Sequence, residues 1–208
     1  MEDVLDLYAE PFDPEYPVVC CDETSKQLLA DLVEPIPARP GEPQRQDYEY
    51  KRNGTRNLFM FVQPLGGWRH VEVTERRTAR DFAHQLKWLA EEAFPEARVI
   101  RLVMDNLNTH RPGSLYETFE AAEARRIARR LEFHYTPKHG SWLNMAEIEL
   151  SIFSRCCLGD RVPDAETLRR RIAVLEGERN RAKATISWRF MTNDARTRLH
   201  RIYPSIPG

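Results

Sequence analysis

An α/β fold is predicted for this chain: a mixed five-stranded sheet with helices on both faces. Three observations carry that expectation. Residues 99–104 form an apolar run closed by Asp105-Asn106-Leu107-Asn108-Thr109-His110, the pattern of a strand buried on both faces in the middle of a parallel sheet. Residues 58–63 and 68–74 flank Gly66-Gly67 and read as a hairpin, the second arm with period-two alternation. The later strands are separated by helical patterns, which requires parallel crossovers.

Taken in order, residues 1–16 mix a short amphipathic piece with Pro11 and Pro14 and read as a linker. Residues 17–22 are the first strand and end in Asp22. From Lys26 to Asn57 the four prolines Pro35, Pro37, Pro40 and Pro43, with Gly41, argue for an irregular insertion or extended loop. After the hairpin, residues 78–94 are helical, with Phe82, Leu86, Leu89 and Ala93 on one face, and Pro95 ends the helix. The central strand follows, then a helix within residues 114–130, a short strand at 131–135 and a loop at 136–141. Helical pattern resumes at Leu143, where Ile148 and Ile152 mark the expected core face. Pro163-Asp164 starts a further helix with Leu168, Ile172 and Leu175 as its apolar stripe. The expected organisation is therefore a main domain over 17–160 and a helical extension over 161–208.

Composition narrows the class. The 208 residues, 41% of them hydrophobic, suffice for a full core without metal or disulfide staples. No apolar run approaches the roughly 20 residues of a membrane span, and the acidic start fits neither a signal nor a transit peptide, so a cytoplasmic protein is expected. The four cysteines come as neighbours, Cys20-Cys21 and Cys156-Cys157, without zinc spacing, and are expected to be small buried hydrophobes. A net charge of −1 conceals an acidic first quarter and a basic last quarter, an asymmetry compatible with a polyanionic partner.

The chemistry lies in the carboxylates. If the central strand lies parallel beside the first, Asp22 and Asp105 emerge next to each other. Two such charges repel unless they share a proton or a cation. Oxygen-only donors suit Mg²⁺ or Mn²⁺, and a third acid would complete a two-ion site for in-line attack on a phosphodiester. The helix after Trp142 offers Glu147 and Glu149. About 200° of helical rotation separates them, so only one can face the site, and the pattern alone favours neither.

Cys21-Asp22-Glu23-Thr24, Asp105-Asn106-Leu107-Asn108-Thr109-His110, and the stretch Pro137-Lys138-His139-Gly140-Ser141-Trp142-Leu143-Asn144-Met145-Ala146-Glu147 together resemble the DDE transposases of the insertion-sequence 630 family, a branch of the mariner superfamily. The resemblance implies a ribonuclease-H-like fold and assigns the third acid to Glu147. It further implies two Mg²⁺ or Mn²⁺ ions held by Asp22, Asp105 and Glu147, cleavage at transposon ends, and strand transfer into target DNA. A homodimer on DNA and a separate N-terminal helix-turn-helix part are also implied, the latter placing residues 1–16 in the linker that follows it. Asn106, His110, Lys138, His139 and Arg52 are the further candidates for DNA contact, whereas Trp142 is expected in the core. Two other functions share these residues: a silent DNA- or partner-binding relic, and a related metal-dependent nuclease.

Overall fold

A computed structural model describes residues 1–106 and 111–203. Strands β1 (Val18–Asp31), β2 (Tyr50–Gln63), β3 (Trp68–Thr74), β4 (Ile100–Met104) and β5 (Leu131–Tyr135) form one sheet in the order β3-β2-β1-β4-β5. β1 pairs antiparallel with β2 and parallel with β4, and β5 runs parallel to β4. The mixed five-stranded sheet expected from sequence is thus the sheet observed.

Period-two alternation distributes the strands' side chains between two apolar layers. Cys20, Leu58, Met60, Val62, Val71 and Val103 point to one face, which α1 (Glu2–Ala9) covers with Val4 and Leu7. Val19, Cys21, Phe59, Phe61, Ile100, Leu102 and Met104 point to the other. That second face is covered by α2 (Ala79–Trp88) through Phe82 and Leu86, by α3 (Gly113–Thr118) through Leu115, and by α4 (Ala121–Ala128) through Ile127. The first face is completed by α5 (Ala146–Cys156) through Phe153 and by α6 (Ala165–Arg181) through Leu168 and Ile172. α7 (Thr192–Arg198) packs beside α1, where Ala195 joins Leu5 and Leu143 in a small cluster. Residues 1–16 therefore contain a docked helix, and the segment from residue 161 onward contributes to the same core as the sheet.

Several local expectations change. β1 and β2 both run on through the region expected to be irregular, pairing from Cys20↔Val62 out to Asp31↔Tyr50. The prolines fall in the connection between the strands, where no ladder donor is lost. A bulge sets Asn53 and Gly54 opposite Leu28, and Gly54 accommodates it with φ +89°. The helix expected within 114–130 is two helices, because Phe119 is extended and turns its ring edge-on to His84. Thr78 caps α2 through a reciprocal pair with Asp81, and the helix continues as a π-helical turn over Leu89–Ala93. Cys20 and Cys21 are buried as expected, but Cys156 is exposed at the end of α5. No helix among the described residues is long and apolar enough to cross a membrane.

Part of the charge asymmetry is consumed internally. Glu2 pairs with Arg196 at 2.7 Å, Asp31 with Arg161 at 2.7 Å, and Glu10 with Arg101.

Gly67 closes the β2–β3 turn at φ +68°, and a Cβ there would lie 2.6 Å from the Lys183 carbonyl. Gly67→Ala should lower stability by about 1–3 kcal/mol or more in urea unfolding, against little change for a substitution at exposed Gly41 to Asn. His70 on β3 sits between Glu176 of α6, at 3.1 Å, and Glu72, at 3.7 Å. Burial alone would lower its pKa, but the two carboxylates, Glu176 foremost, raise it from 6.5 to about 9. The stabilisation is complete below the unfolded value and is lost as pH rises through about 9. Urea midpoints of the native chain and His70→Gln should therefore converge at alkaline pH; a gap that widens there would refute the pairing.

Candidate active site

The two aspartates meet because β1 and β4 are parallel neighbours. Val18, Val19 and Cys20 pair with Arg101, Leu102 and Val103, and Asp22 and Asp105 each follow the last of these pairs by two residues. Both are half-buried. The two-residue repeat puts them on the same side of the sheet as Cys20 and Val103, the side covered by α5. Their combined field is felt by the Cys21 thiol. Burial, then Asp22, Glu23 and Asp105, push that thiol well above its ordinary range. Asp22 Oδ1 accepts the Glu23 amide at 2.7 Å, and the Glu23 carboxylate meets Arg77 at 3.2 Å.

The third acid is brought by an anchored helix start. After a 3₁₀ turn at Ser141–Leu143, the Asn144 amide donates to the Cys21 carbonyl at 2.8 Å, next to Asp22, while its oxygen accepts the Ala146 amide at 3.1 Å. Tyr8 of α1 donates its hydroxyl to the Leu143 carbonyl at 2.8 Å. Burial raises the Tyr8 hydroxyl far above its ordinary value and, acting on Cys20 beside it, pushes that thiol to about 12, so the Tyr8 proton stays available for this bond. Glu147 stands in the first turn of α5, half-buried, with its amide bonded to the Asn144 carbonyl at 3.1 Å.

The rotation of α5 differs from the expected one. Ile148 is 39% exposed, and the buried stripe is Ala146, Glu149 and Phe153. The cause is an ion pair. Glu149 is fully buried between Arg69, itself fully buried and 3.3 Å away, and Arg179, which donates to both carboxylate oxygens at 2.9 and 2.6 Å. Arg69 also donates to the carbonyls of Gly67 and Ala184, and Asn180 bonds both its backbone amide and its carbonyl at 2.8 Å. With Glu149 committed inward, Glu147 is the acid left to line a surface groove, together with Trp142, Asn144, Ile148, Ser151 and Arg155.

Asp105 lines a separate depression with Asn106, Thr136, Lys138, His139 and Ser141. The structure thus joins Asp105 to three of the expected DNA-contact residues and sets Glu147 in the neighbouring groove. Among the described residues no three His, Cys, Asp or Glu side chains lie close enough together to hold a metal ion jointly.

Residues 17–192 match the sequence model of a family described as DDE superfamily endonuclease. The chain belongs to this family. The DDE domain is similar in fold to solved Mos1 transposase structures. These include the paired-end complex with the left transposon end (16% identity, 88% of this chain and 60% of that one, TM-score 0.51) and the Mos1 strand transfer complex (14%, 90% and 61%, TM-score 0.52). The Mos1 mariner paired-end complex with Mn matches likewise (16%, 89% and 60%, TM-score 0.51). The chain spans about 60% of the length of those transposase chains. The likeness and the sheet order give this DDE domain the ribonuclease-H-like fold. No curated protein matches the chain.

Within the DDE domain the remaining candidates divide. Lys138 and His139 flank Asp105's depression, His139 with φ 63°. Arg52 lies on β2 across from Leu29, seven residues beyond Asp22 along β1, or about 23 Å at ~3.3 Å per residue, so it stands apart from the acids. His110 lies outside the described residues. Trp142, expected in the core, is 43% exposed on the groove beside Glu147, because its ring packs on Trp188 and Phe190 near the surface. Two residues that position the site were given no such role from sequence. Asn144 stood in the motif that pointed to Glu147, three residues before that acid. Arg69 had a signal too, since alternation puts it on the same face as buried Val71 and Val73.

Glu149→Ala should cost about 3–5 kcal/mol, since it strands two guanidiniums, whereas Glu147→Ala should change stability by no more than ~0.5 kcal/mol. Chemical denaturation of both variants checks this, and equal losses would contradict the inward setting of Glu149.

Proposed function

We propose that the chain is the catalytic domain of a mariner-type DNA transposase, with Asp22, Asp105 and Glu147 as the acids of its cutting and joining site. One observation carries this reading: Asp22 and Asp105 each follow by two residues the last pair, Cys20 and Val103, of the parallel β1–β4 ladder, and the helix bearing Glu147 is bonded through Asn144 to β1 beside Asp22. The donor chemistry fits a hard divalent ion, since all three side chains are carboxylates and the charges of Asp22 and Asp105 both reach Cys21. Mg²⁺ or Mn²⁺ is therefore the cofactor we assign, two ions in number, in keeping with the Mn named for a Mos1 complex. When bound, such ions would acidify the attacking water or 3′ hydroxyl and stabilise charge in an in-line displacement at phosphorus.

The protein's own part is orientation. The sheet holds Asp22 and Asp105 at fixed separation, and Asn144 fixes the backbone from which Glu147 reaches. Lys138 and His139, beside Asp105, offer donors to the phosphate backbone of DNA. No covalent protein–DNA intermediate is required, since water or a DNA hydroxyl supplies the nucleophile. A homodimer on DNA, a separate helix-turn-helix part for reading transposon ends, and a location with the chromosome inside a bacterial cell complete the proposal.

A silent DNA-binding relic is the second reading, favoured by the separation of Glu147's groove from Asp105's depression. The deciding assay incubates labelled transposon-end DNA with the native chain and with Asp105→Ala, with and without Mg²⁺ or Mn²⁺. The native chain should cut only with metal. Asp105→Ala should lose more than the ~100-fold typical of removing a residue that merely supports a metal ligand. Equal DNA binding by both proteins with no cutting by either selects the relic.

A further inference from the structure

The groove beside Glu147 carries more exposed apolar surface than phosphodiester chemistry asks for. Trp142 is 43% exposed and Ile148 39% exposed, both in the depression that Glu147 lines. Trp142 is also held in place from beneath. Its ring stacks on Trp188 (6.3 Å between centroids, 18°) and meets Phe190 edge-on (5.4 Å, 77°). Trp188 in turn donates its indole N–H to the Phe190 carbonyl at 2.7 Å and takes the edge of Tyr8 at 5.3 Å. An aromatic ring so supported loses little conformational freedom when something stacks on it.

The far end of the same groove is cationic. Arg155 lines it, donates to the Ser151 carbonyl at 3.3 Å, and has no ion-pair partner among the described residues. Arg155 also borders a second groove with Arg170 and Arg171, in which Asp160 and Glu178 are the acidic members. A rigid open indole, an acid assigned to phosphodiester chemistry and a line of guanidiniums thus follow one another along the surface.

We infer that Trp142 is a stacking platform for a nucleobase of the DNA strand being cut, unstacked from its duplex neighbour, and that Arg155 takes the adjoining phosphate. The inference rests on the DNA-cutting function proposed above. Stacking suits this groove better than reading a base edge. The Asn144 amide, the polar group best placed to recognise a base, is committed to Cys21 and Ala146. The platform should therefore accept any base, because every base offers a π-face.

The test uses the full chain and duplex DNA with a short unpaired 3′ tail containing 2-aminopurine, whose fluorescence is quenched on stacking. The native chain should quench the probe. Trp142→Ala should abolish quenching and weaken binding of the tailed duplex roughly five- to hundredfold, with a much smaller effect on blunt duplex. Trp142→Phe should restore most of both, and Trp142→Leu, of similar apolar bulk, should not. Arg155→Ala should reduce the slope of binding against salt by about one. Circular dichroism of each variant separates loss of stacking from loss of fold, and the Phe and Leu pair decides the matter where Ala is unstable. Native-level quenching and affinity in both the Ala and Leu variants, with metal-dependent cutting intact, overturns the platform and leaves the DNA-cutting function standing. A change in sedimentation with unaltered DNA affinity overturns it in favour of a contact between copies of the chain. Failure of the native chain to bind or cut any DNA overturns both.

Discussion

Glu149, a carboxylate with no exposed surface, lies between two guanidiniums and decides how helix α5 is turned. Buried charges cost several kcal/mol each to desolvate, so the arrangement holds only if every partner is in place. Arg69 comes from β3 and Arg179 from α6, and Asn180 clasps the Arg69 backbone from both sides. Strand, helix and helix must therefore assemble together, and once they have, α5 has a single rotational setting. That setting turns Glu149 inward and leaves Glu147 at the surface groove.

The second constraint is the parallel contact of β1 and β4, which carries Asp22 and Asp105 to the place where that ladder ends. Asn144 joins the two constraints, since one end of its amide holds β1 and the other holds the start of α5. Helix α1 and the connection between α6 and α7 then buttress this junction. Tyr8 bonds the turn before Asn144, and Trp188 packs against both Tyr8 and Trp142. Helix α1 and the irregular stretch between α6 and α7 are thus part of the support for the proposed catalytic groove, and the surface they complete is where a DNA strand would run.

Much of this was legible in local pattern. The buried strand before Asp105, the Gly66-Gly67 hairpin, the Thr78 and Asp164 helix starts and the two-layer core all follow from periodicity and capping, which act over a few residues, although β1 and not that strand is the middle of the sheet. The misplacements share a cause. Prolines between β1 and β2 signalled irregularity, but they confine themselves to the connection, while a glycine bulge lets the ladder continue. Ile148 signalled the core face of α5, but a carboxylate went inward because distant guanidiniums awaited it. Trp142 signalled burial by its size, but its packing partners, Trp188 and Phe190, lie at the surface.

By itself the sequence determined the strands and helices, the family, and the identity of Asp22, Asp105 and Glu147 as the acids to consider, since motif and period are properties of neighbouring residues. Only the tertiary structure decided which neighbours those acids have. It set Asp22 level with Asp105 through strand register and turned Glu147 outward through the Glu149 ion pair. It also exposed Trp142 on a pedestal built from the connection between α6 and α7, itself backed by Tyr8 of α1. Register, helix rotation and pedestal all arise from contacts between residues far apart in the chain, which no local pattern records.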